Sequence, residues 1–236
     1  MSAGGALGSG DMFDRIAGRY DRLNRILSLG LDQRWRRLAR EALDLRGGER
    51  VLDLATGTAD LALQVASGPA QPHVVGADPS LRMLELGVEK TKAARLSERI
   101  AFASADAQAL PFGGGTFDAA CMAFGIRNVA DRPRALREIA RVVRPGGRVA
   151  ILELCEPRTG VLGGLGRFYV HGVVPRVGGL LSGEREYRYL QESIARFPSP
   201  SEFEGILAGN GLAPVETRPL TLGSCCLFVA VVGKPR

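Results

Sequence analysis

Apolar and polar positions alternate along this chain with two different periods. Between residues 11 and 46, Phe13, Ile16, Leu23, Ile26 and Leu27 recur at helical spacing among Arg and Asp. That pattern predicts two amphipathic helices, Met12–Leu29 and Leu31–Leu45, joined near Gly30. From 49 to 154 short apolar runs alternate with helical stretches. Val51–Leu54, His73–Ala77, Ile100–Ala103, Phe117–Ala123 and Arg148–Leu154 read as strands; Asp60–Ser67, Ser80–Leu96 and Arg132–Val143 read as helices. Pro145-Gly146-Gly147 is a turn before the last of these strands. Further on, Glu186–Arg196 and Ser201–Asn210 read as helices, the second capped by Ser201 and ended by Gly211. Ala213–Thr221 and Cys225–Val232 then read as two strands around Leu222-Gly223-Ser224, a closing hairpin.

Strands that alternate with helices form right-handed βαβ units and a parallel, doubly wound sheet. The expected fold is therefore α/β: a Rossmann-like doubly wound sheet of seven strands, with an antiparallel C-terminal hairpin strand and an N-terminal helical cover. Residues 1–11, rich in Gly, Ser and Ala, read as a disordered leader, and 12–236 as a single domain. Within it, 12–46 form the helical cover, 49–154 the cofactor-binding core, 155–200 a substrate cover and 201–236 the C-terminal helix and hairpin. Residues 160–183 interleave glycines with Phe168, Tyr169, Val173 and Val174. Two readings stand side by side there, a mobile cover at a greasy entrance and a helical excursion.

Composition narrows the class. The 236 residues are 45% hydrophobic and 24% charged, ordinary globular usage that excludes a disordered chain, a collagen and a disulfide-stapled scaffold. The apolar runs fall short of the roughly 18 residues a membrane span needs, and Met1–Gly10 lacks the basic and apolar regions of a secretory signal. Cys121, Cys155, Cys225 and Cys226 form no Cys-x-x-Cys pair and only His73 and His171 accompany them, so no metal site or redox motif is expected. The vicinal pair Cys225-Cys226 reads as core, and the expected compartment is a reducing cytoplasm. The net charge of +6 is carried mostly by arginine, and alone it is compatible with nucleic acid, anionic lipid or an anionic cofactor.

The segment from Val51 to Asp60 separates these. It is a strand holding an acid, Asp53, then a tight loop of small residues with Ala55, Gly57 and Thr58, then a helix start. Small residues let a ligand lie close to backbone N–H groups. A dinucleotide fingerprint would need glycine where this chain has Ala55 and Asp60, and a pyrophosphate at that helix end would meet the Asp60 carboxylate. A cationic cofactor is the better electrostatic match. Asp78 follows at the end of the second strand, placed to accept both hydroxyls of a ribose; Asp106 is expected to end the third, with the Ala107 N–H beside it for an adenine edge. A lone Asp at such a place is more often a turn residue or helix cap, but three in register line one crevice.

This arrangement resembles the class I S-adenosylmethionine-dependent methyltransferases, whose loop pattern is acid-x-Gly-x-Gly-x-Gly; here Ala55, Gly57 and Ala59 stand at the glycine places. The downstream succession is closer: Asp106-Ala107-x-x-Leu110-Pro111-Phe112, Thr116-Phe117-Asp118, and Arg141 through Pro145-Gly146-Gly147-Arg148. Tyr20-Asp21-Arg22-Leu23-Asn24, Trp35-Arg36-Arg37, Phe124-Gly125-Ile126-Arg127-Asn128, His171-x-x-x-Pro175-Arg176 and Tyr187-Arg188-Tyr189-Leu190-x-Glu192-Ser193 are similar to the demethylmenaquinone/ubiquinone-precursor C-methyltransferase family, over about Met12 to Val232. The resemblance implies S-adenosyl-L-methionine as cofactor, held by Asp53, Ala55, Gly57, Thr58, Asp78, Asp106 and Ala107. A family serine contact falls on Ala123 and does not carry over.

The implied reaction methylates a ring carbon of a reduced prenylated quinone, most readily demethylmenaquinol, with a ubiquinone-precursor benzoquinol or another small phenolic or prenyl acceptor as the alternative. The ring carbon becomes nucleophilic when a neighbouring phenol, of ordinary pKa near 10, loses its proton. Arg127, just after the fourth strand, is expected to favour the phenolate, Asn128 to orient the second ring oxygen, and His171 to serve as base. Arg127 paired on the surface with Asp131 or Glu138 is the competing reading. Tyr20, Arg127, Tyr187 and Tyr189 are expected to line the ring pocket. The implied partner is a lipid quinol and no nucleic acid, since no base-holding Asn-Pro-Pro-Tyr-like loop or added binding module is present. Transient contact with the inner face of the membrane through the Arg-rich helices, and a homodimer, are compatible with the sequence. A catalytically inactive binding protein is the reading from a different class, prompted by Ala59.

Overall fold

The computed structural model describes residues 9–156 and 184–233. In chain order the elements are α1 (Ser9–Leu27), α2 (Leu31–Ala42), β1 (Arg50–Leu54), α3 (Asp60–Ala66), β2 (His73–Asp78), α4 (Leu81–Ala93), β3 (Ile100–Ser104), β4 (Phe117–Ala123), α5 (Arg132–Val142), β5 (Val143–Leu154), α6 (Glu184–Ala195), α7 (Pro200–Gly209), β6 (Leu212–Leu220) and β7 (Cys225–Val232).

The seven strands form one sheet in the order β3-β2-β1-β4-β5-β7-β6. β1 to β5 are parallel, while β7 runs antiparallel to both β5 and β6. Strand order reverses between β1 and β4, so the crevice of a doubly wound sheet opens beyond Leu54 and Ala123. Alternation along β1 sends Val51 into one core and Leu52 and Leu54 into the other. The central strands are buried on both faces, so they appear in the sequence as continuous apolar runs.

Four sequence expectations shift. α1 takes in Ser9, Gly10 and Asp11 from the end of the stretch expected to be a leader. It stops at Leu27, because Leu29 and Gly30 turn into the left-handed region with φ 52° and 76°. Of the expected apolar stripe Leu23 is buried, but Ile26 is exposed, and Ala17 is buried as well as Leu23. α7 is capped by Ser199, not Ser201: Ser199 accepts from the Glu202 N–H while Glu202 accepts from the Ser199 N–H, a capping box with Pro200 in the first turn. β5 extends back through Pro145-Gly146-Gly147 to Val143, with a register shift against β4 between Phe117 and Ala119. A β-carbon on Gly147 would sit 2.4 Å from the Asp118 carbonyl oxygen, which explains glycine there.

Candidate functional site

The β1–α3 loop is built on left-handed backbone. Ala55, Gly57 and Ala59 have φ of 53°, 54° and 68°. The conformation demanded at all three glycine places is thus adopted by two alanines. Ala59 is fully buried, and Gly87 of α4 packs against it: a β-carbon on Gly87 would stand 3.3 Å from that of Ala59. Beneath the loop, Asp53 is buried, accepting from the Thr56 hydroxyl at 2.6 Å and the Cys121 thiol at 3.6 Å. Burial pushes its carboxyl up to about 6, against the pull of Thr56, Cys121 and, more weakly, Arg36. Asp53 therefore braces the loop from within.

Asp78 ends β2 as expected. Its carboxylate accepts from the Gly57 and Ser80 N–H groups at 2.9 Å each, joining the second strand to the loop. Burial raises its pKa, and Asp14 adds to the rise, while the Ser80 and Gly57 N–H groups oppose it. β3 stops at Ser104, so Asp106 lies two residues past the strand and not at its end. It is exposed and accepts from the Gln108 N–H at 2.8 Å, a turn role; Ala107 beside it is buried. The Ala105 N–H donates to the Asp78 carbonyl, which brings the two acids' segments together.

Asp60 changes the electrostatic picture. Its carboxylate pairs with Lys90 and lies 3.7 Å from Arg25, so the acid at the start of α3 is largely neutralised by protein cations. Lys90 also donates to Asp21 at 2.8 Å and to Thr58 Oγ1 at 3.1 Å, and Thr58 Oγ1 donates to Asp21 at 2.6 Å. Thr58 thus spends its hydroxyl on α1 and α4, which leaves its backbone for a ligand. Asp14 of α1 accepts from Ser80, so α1 is fastened to both the loop and the start of α4. Tyr20 lies over the loop, its Cε1 4.0 Å from where a Gly57 β-carbon would be.

Arg127 sits in a short 3-10 turn, Ile126–Asn128, after β4. Its guanidinium is buried and donates through Nη1 to Glu153 at 2.6 Å and to the Phe124 carbonyl at 2.9 Å. Glu153, with no exposed surface, also accepts from the Arg127 N–H at 3.1 Å and the Leu154 N–H at 2.8 Å. The surface pairing with Asp131 or Glu138 is absent: Asp131 caps α5 and Glu138 binds Arg141. Burial works against the charge on Arg127, but Glu153, aided by Tyr20 and Tyr189, outweighs it and holds the guanidinium above its ordinary pKa. Nε is buried without a hydrogen-bond partner. Asn128 accepts from the Tyr189 hydroxyl at 3.1 Å and donates to the Phe124 carbonyl at 3.3 Å. Tyr20, Arg127, Asn128 and Tyr189 therefore converge at one end of the crevice. Tyr187 lies on α6 with Tyr189, but its side chain, like His171, is outside the described residues.

Sequence reasoning missed Glu153, Lys90 and Asp21. The signal for Glu153 was an acid inside the apolar run Val149–Leu154; Asp21 lay in the Tyr20-to-Asn24 segment without a role, and no local pattern announced Lys90.

A family model for the ubiE/COQ5 methyltransferases matches residues 6–232. The chain belongs to the ubiE/COQ5 methyltransferase family. Relatives include the ubiquinone/menaquinone biosynthesis C-methyltransferase of Geotalea uraniireducens, 44% identical over 93% of this chain and 94% of that protein. The demethylmenaquinone methyltransferase of Thermus thermophilus is 46% identical over 92% and 98%. Among solved structures, an S-adenosylmethionine-dependent methyltransferase from Aquifex aeolicus superposes with a TM-score of 0.62 at 17% identity, over 93% of this chain and 98% of that one. The [4+2]-cyclase SpnF superposes at 0.71 with 19% identity, over 95% and 96%. The cyclase shows the shared fold alone, since chemistry is decided by the site. Family membership makes this chain an S-adenosylmethionine-dependent methyltransferase. The small-residue loop, with Asp78 at the end of β2 and Asp106 just past β3, offers close backbone approach and carboxylate acceptors of the kind that cofactor's sugar and base need.

Proposed function

We propose that this chain transfers the methyl group of S-adenosylmethionine to a ring carbon of demethylmenaquinol. The observation that carries this reading is the guanidinium of Arg127, buried, tied to Glu153 and surrounded by Tyr20, Asn128 and Tyr189 beside the cofactor loop. Demethylmenaquinol is favoured over a benzoquinol because menaquinone is common to the names borne by the two relatives.

When bound, the cofactor supplies an electrophilic methyl on a sulfonium, so the protein's work is alignment and proton management. Asp78 accepts the ribose hydroxyls, the backbone at Gly57 and Thr58 lies against the methionyl portion, and Asp106 with the Ala107 N–H meets the adenine. Asp53 and Ala55 shape the loop. Arg127 lowers the pKa of the ring hydroxyl and holds the resulting phenolate, which makes the neighbouring carbon nucleophilic. His171 takes the proton. As the carbon–carbon bond forms, the methyl–sulfur bond breaks and neutral S-adenosylhomocysteine leaves; the ring carbon then gives its hydrogen to water as a proton, the ring oxygen regains a proton from His171, and aromaticity returns. Asn128 acts through Tyr189, fixing its hydroxyl at the ring pocket that Tyr20 and Tyr187 complete.

No helix among the described residues is long and apolar enough to cross a membrane. With a prenylated acceptor, the reading has the enzyme working in the cytoplasm against the inner membrane face, alone or as a homodimer, with the Arg-rich α1 and α2 in transient contact with anionic lipid. The test is incubation with methyl-labelled cofactor and each reduced quinone class, then mass spectrometry of the lipid extract. Label in the naphthoquinol is expected. Label only in the benzoquinol, or in neither, overturns the reading.

A further inference from the structure

The crevice has a charge requirement that none of the assigned residues meets. Beneath α1 a small cleft is lined by Tyr20, Arg36, Asp53, the loop residues and Ala123. Among the described residues lining it, Arg36 is the one cation, set against the acids Asp53 and Asp60. Arg36 reaches it from α2, whose buried face is Asp32, Trp35, Arg36 and Ala39, positions one and two turns apart. A helix face that buries a guanidinium does so only with partners that hold it. Arg36 Nη1 donates to Asp32 Oδ2 at 2.5 Å, and Asp32 is itself fixed by Ser28 and Gln33 at 3.0 Å each. The guanidinium lies 5.0 Å from the centre of the Phe124 ring, at the end of β4. It is 4% exposed, so it is a fixed group facing a cavity and not a solvated surface arginine.

S-adenosylmethionine carries a free amino-acid end whose carboxylate is negative at neutral pH. A carboxylate put into this cleft, which Asp53 and Asp60 also line, needs a cation aimed at it, and Lys90 and Arg25 are already paired with Asp60. We propose that Arg36 binds the α-carboxylate of the cofactor's methionyl end, with Asp32 and Phe124 holding the guanidinium in place. The inference rests on the cofactor seating proposed above. A planar guanidinium suits it, because one edge can pair with Asp32 while another donates to the ligand.

The experiment is calorimetry on the full chain with two ligands that differ only at that carboxylate: S-adenosylhomocysteine and its decarboxylated analogue S-adenosyl-3-thiopropylamine. Arg36→Met keeps length and removes the charge. Because it leaves the buried Asp32 unpaired, the double variant Asp32→Asn with Arg36→Met is measured beside it, with circular dichroism confirming the fold. Loss of a hydrogen-bonded charge pair should weaken S-adenosylhomocysteine about ten- to hundredfold, with less than a twofold change for the decarboxylated analogue. Equal weakening of both ligands, or of neither, overturns the assignment. Asp78→Ala separates the two ideas: if it leaves both affinities intact, the seating itself is wrong, whereas if it weakens both and the Arg36 variants do not discriminate, only the carboxylate assignment fails.

Discussion

The methyl group of Ala55 fills the space that a side chain on Gly125 would need. A β-carbon built on Gly125 would lie 2.5 Å from the Ala55 β-carbon and 3.2 Å from Met122 Cγ. An alanine at the first glycine place of the loop is therefore matched by a glycine just past β4. Gly125→Ala should destabilise the protein by about 1–3 kcal/mol through overpacking, read as a shift in urea midpoint. Adding Ala55→Gly should recover part of that loss, and strict additivity of the two changes would show that they do not share the space.

Arg127→Ala should lower turnover at least about a hundredfold, in the range of lost acid–base or charge assistance, while S-adenosylhomocysteine affinity by calorimetry stays within about twofold. Unchanged turnover would remove Arg127 from the chemistry.

Glu153→Gln keeps the shape of the Arg127 anchor and removes its charge. With the guanidinium uncompensated, a bound phenol should ionise at lower pH, so the limb of the kcat profile that reports ring-hydroxyl ionisation in the complex should move down by about one pH unit. The variant should also be less stable, by about 3–5 kcal/mol if no water or rearrangement relieves the unpaired guanidinium. A purely structural Glu153 would lower stability and leave the profile in place.

Asp78→Ala should weaken S-adenosylhomocysteine by about tenfold or more, measured by calorimetry, with a smaller effect on turnover at saturating cofactor. Its loss also frees the Gly57 and Ser80 N–H groups, so Asp78→Asn is the gentler companion, expected to fall between the two.

Asp53 provides a pH signature. Its folded pKa of about 6 lies above the ordinary value of 3.8, so the native state binds the extra proton. The corresponding stability is fully present below pH 4 and is lost as pH rises through 6. Relative to wild type, Asp53→Asn should gain about 2–3 kcal/mol in unfolding free energy between pH 4 and pH 7, followed by urea titration at both pH values. A constant difference across that window would mean that Asp53 titrates normally.

The strands were readable because β1, β2, β4 and the second half of β5 are buried on both faces and so appear as apolar runs, and Asp78 was readable because it closes one of them. Tertiary contacts were not. Glu153 meets Arg127 across 26 positions, and Lys90 meets Asp21 across 69, separations that no periodicity encodes. Ser201 displaced Ser199 in the reading because both precede the apolar positions of α7; Pro200 in the first turn and Glu202 three residues after Ser199 were the deciding signals. Ile26 kept helical spacing yet faces solvent, because spacing fixes a stripe along a helix and not what covers it.

Ala55 and Ala59 give the cofactor loop an unusual thermodynamic character. A left-handed alanine costs the fold about 1 kcal/mol relative to glycine, but its β-carbon also denies the backbone most of the alternative conformations a glycine would sample. Two of the three pivots in this loop are consequently stiffened while the chain folds, before any ligand arrives. Less disorder then has to be quenched at the moment of capture, so the ordering of this loop is met in folding and not in binding.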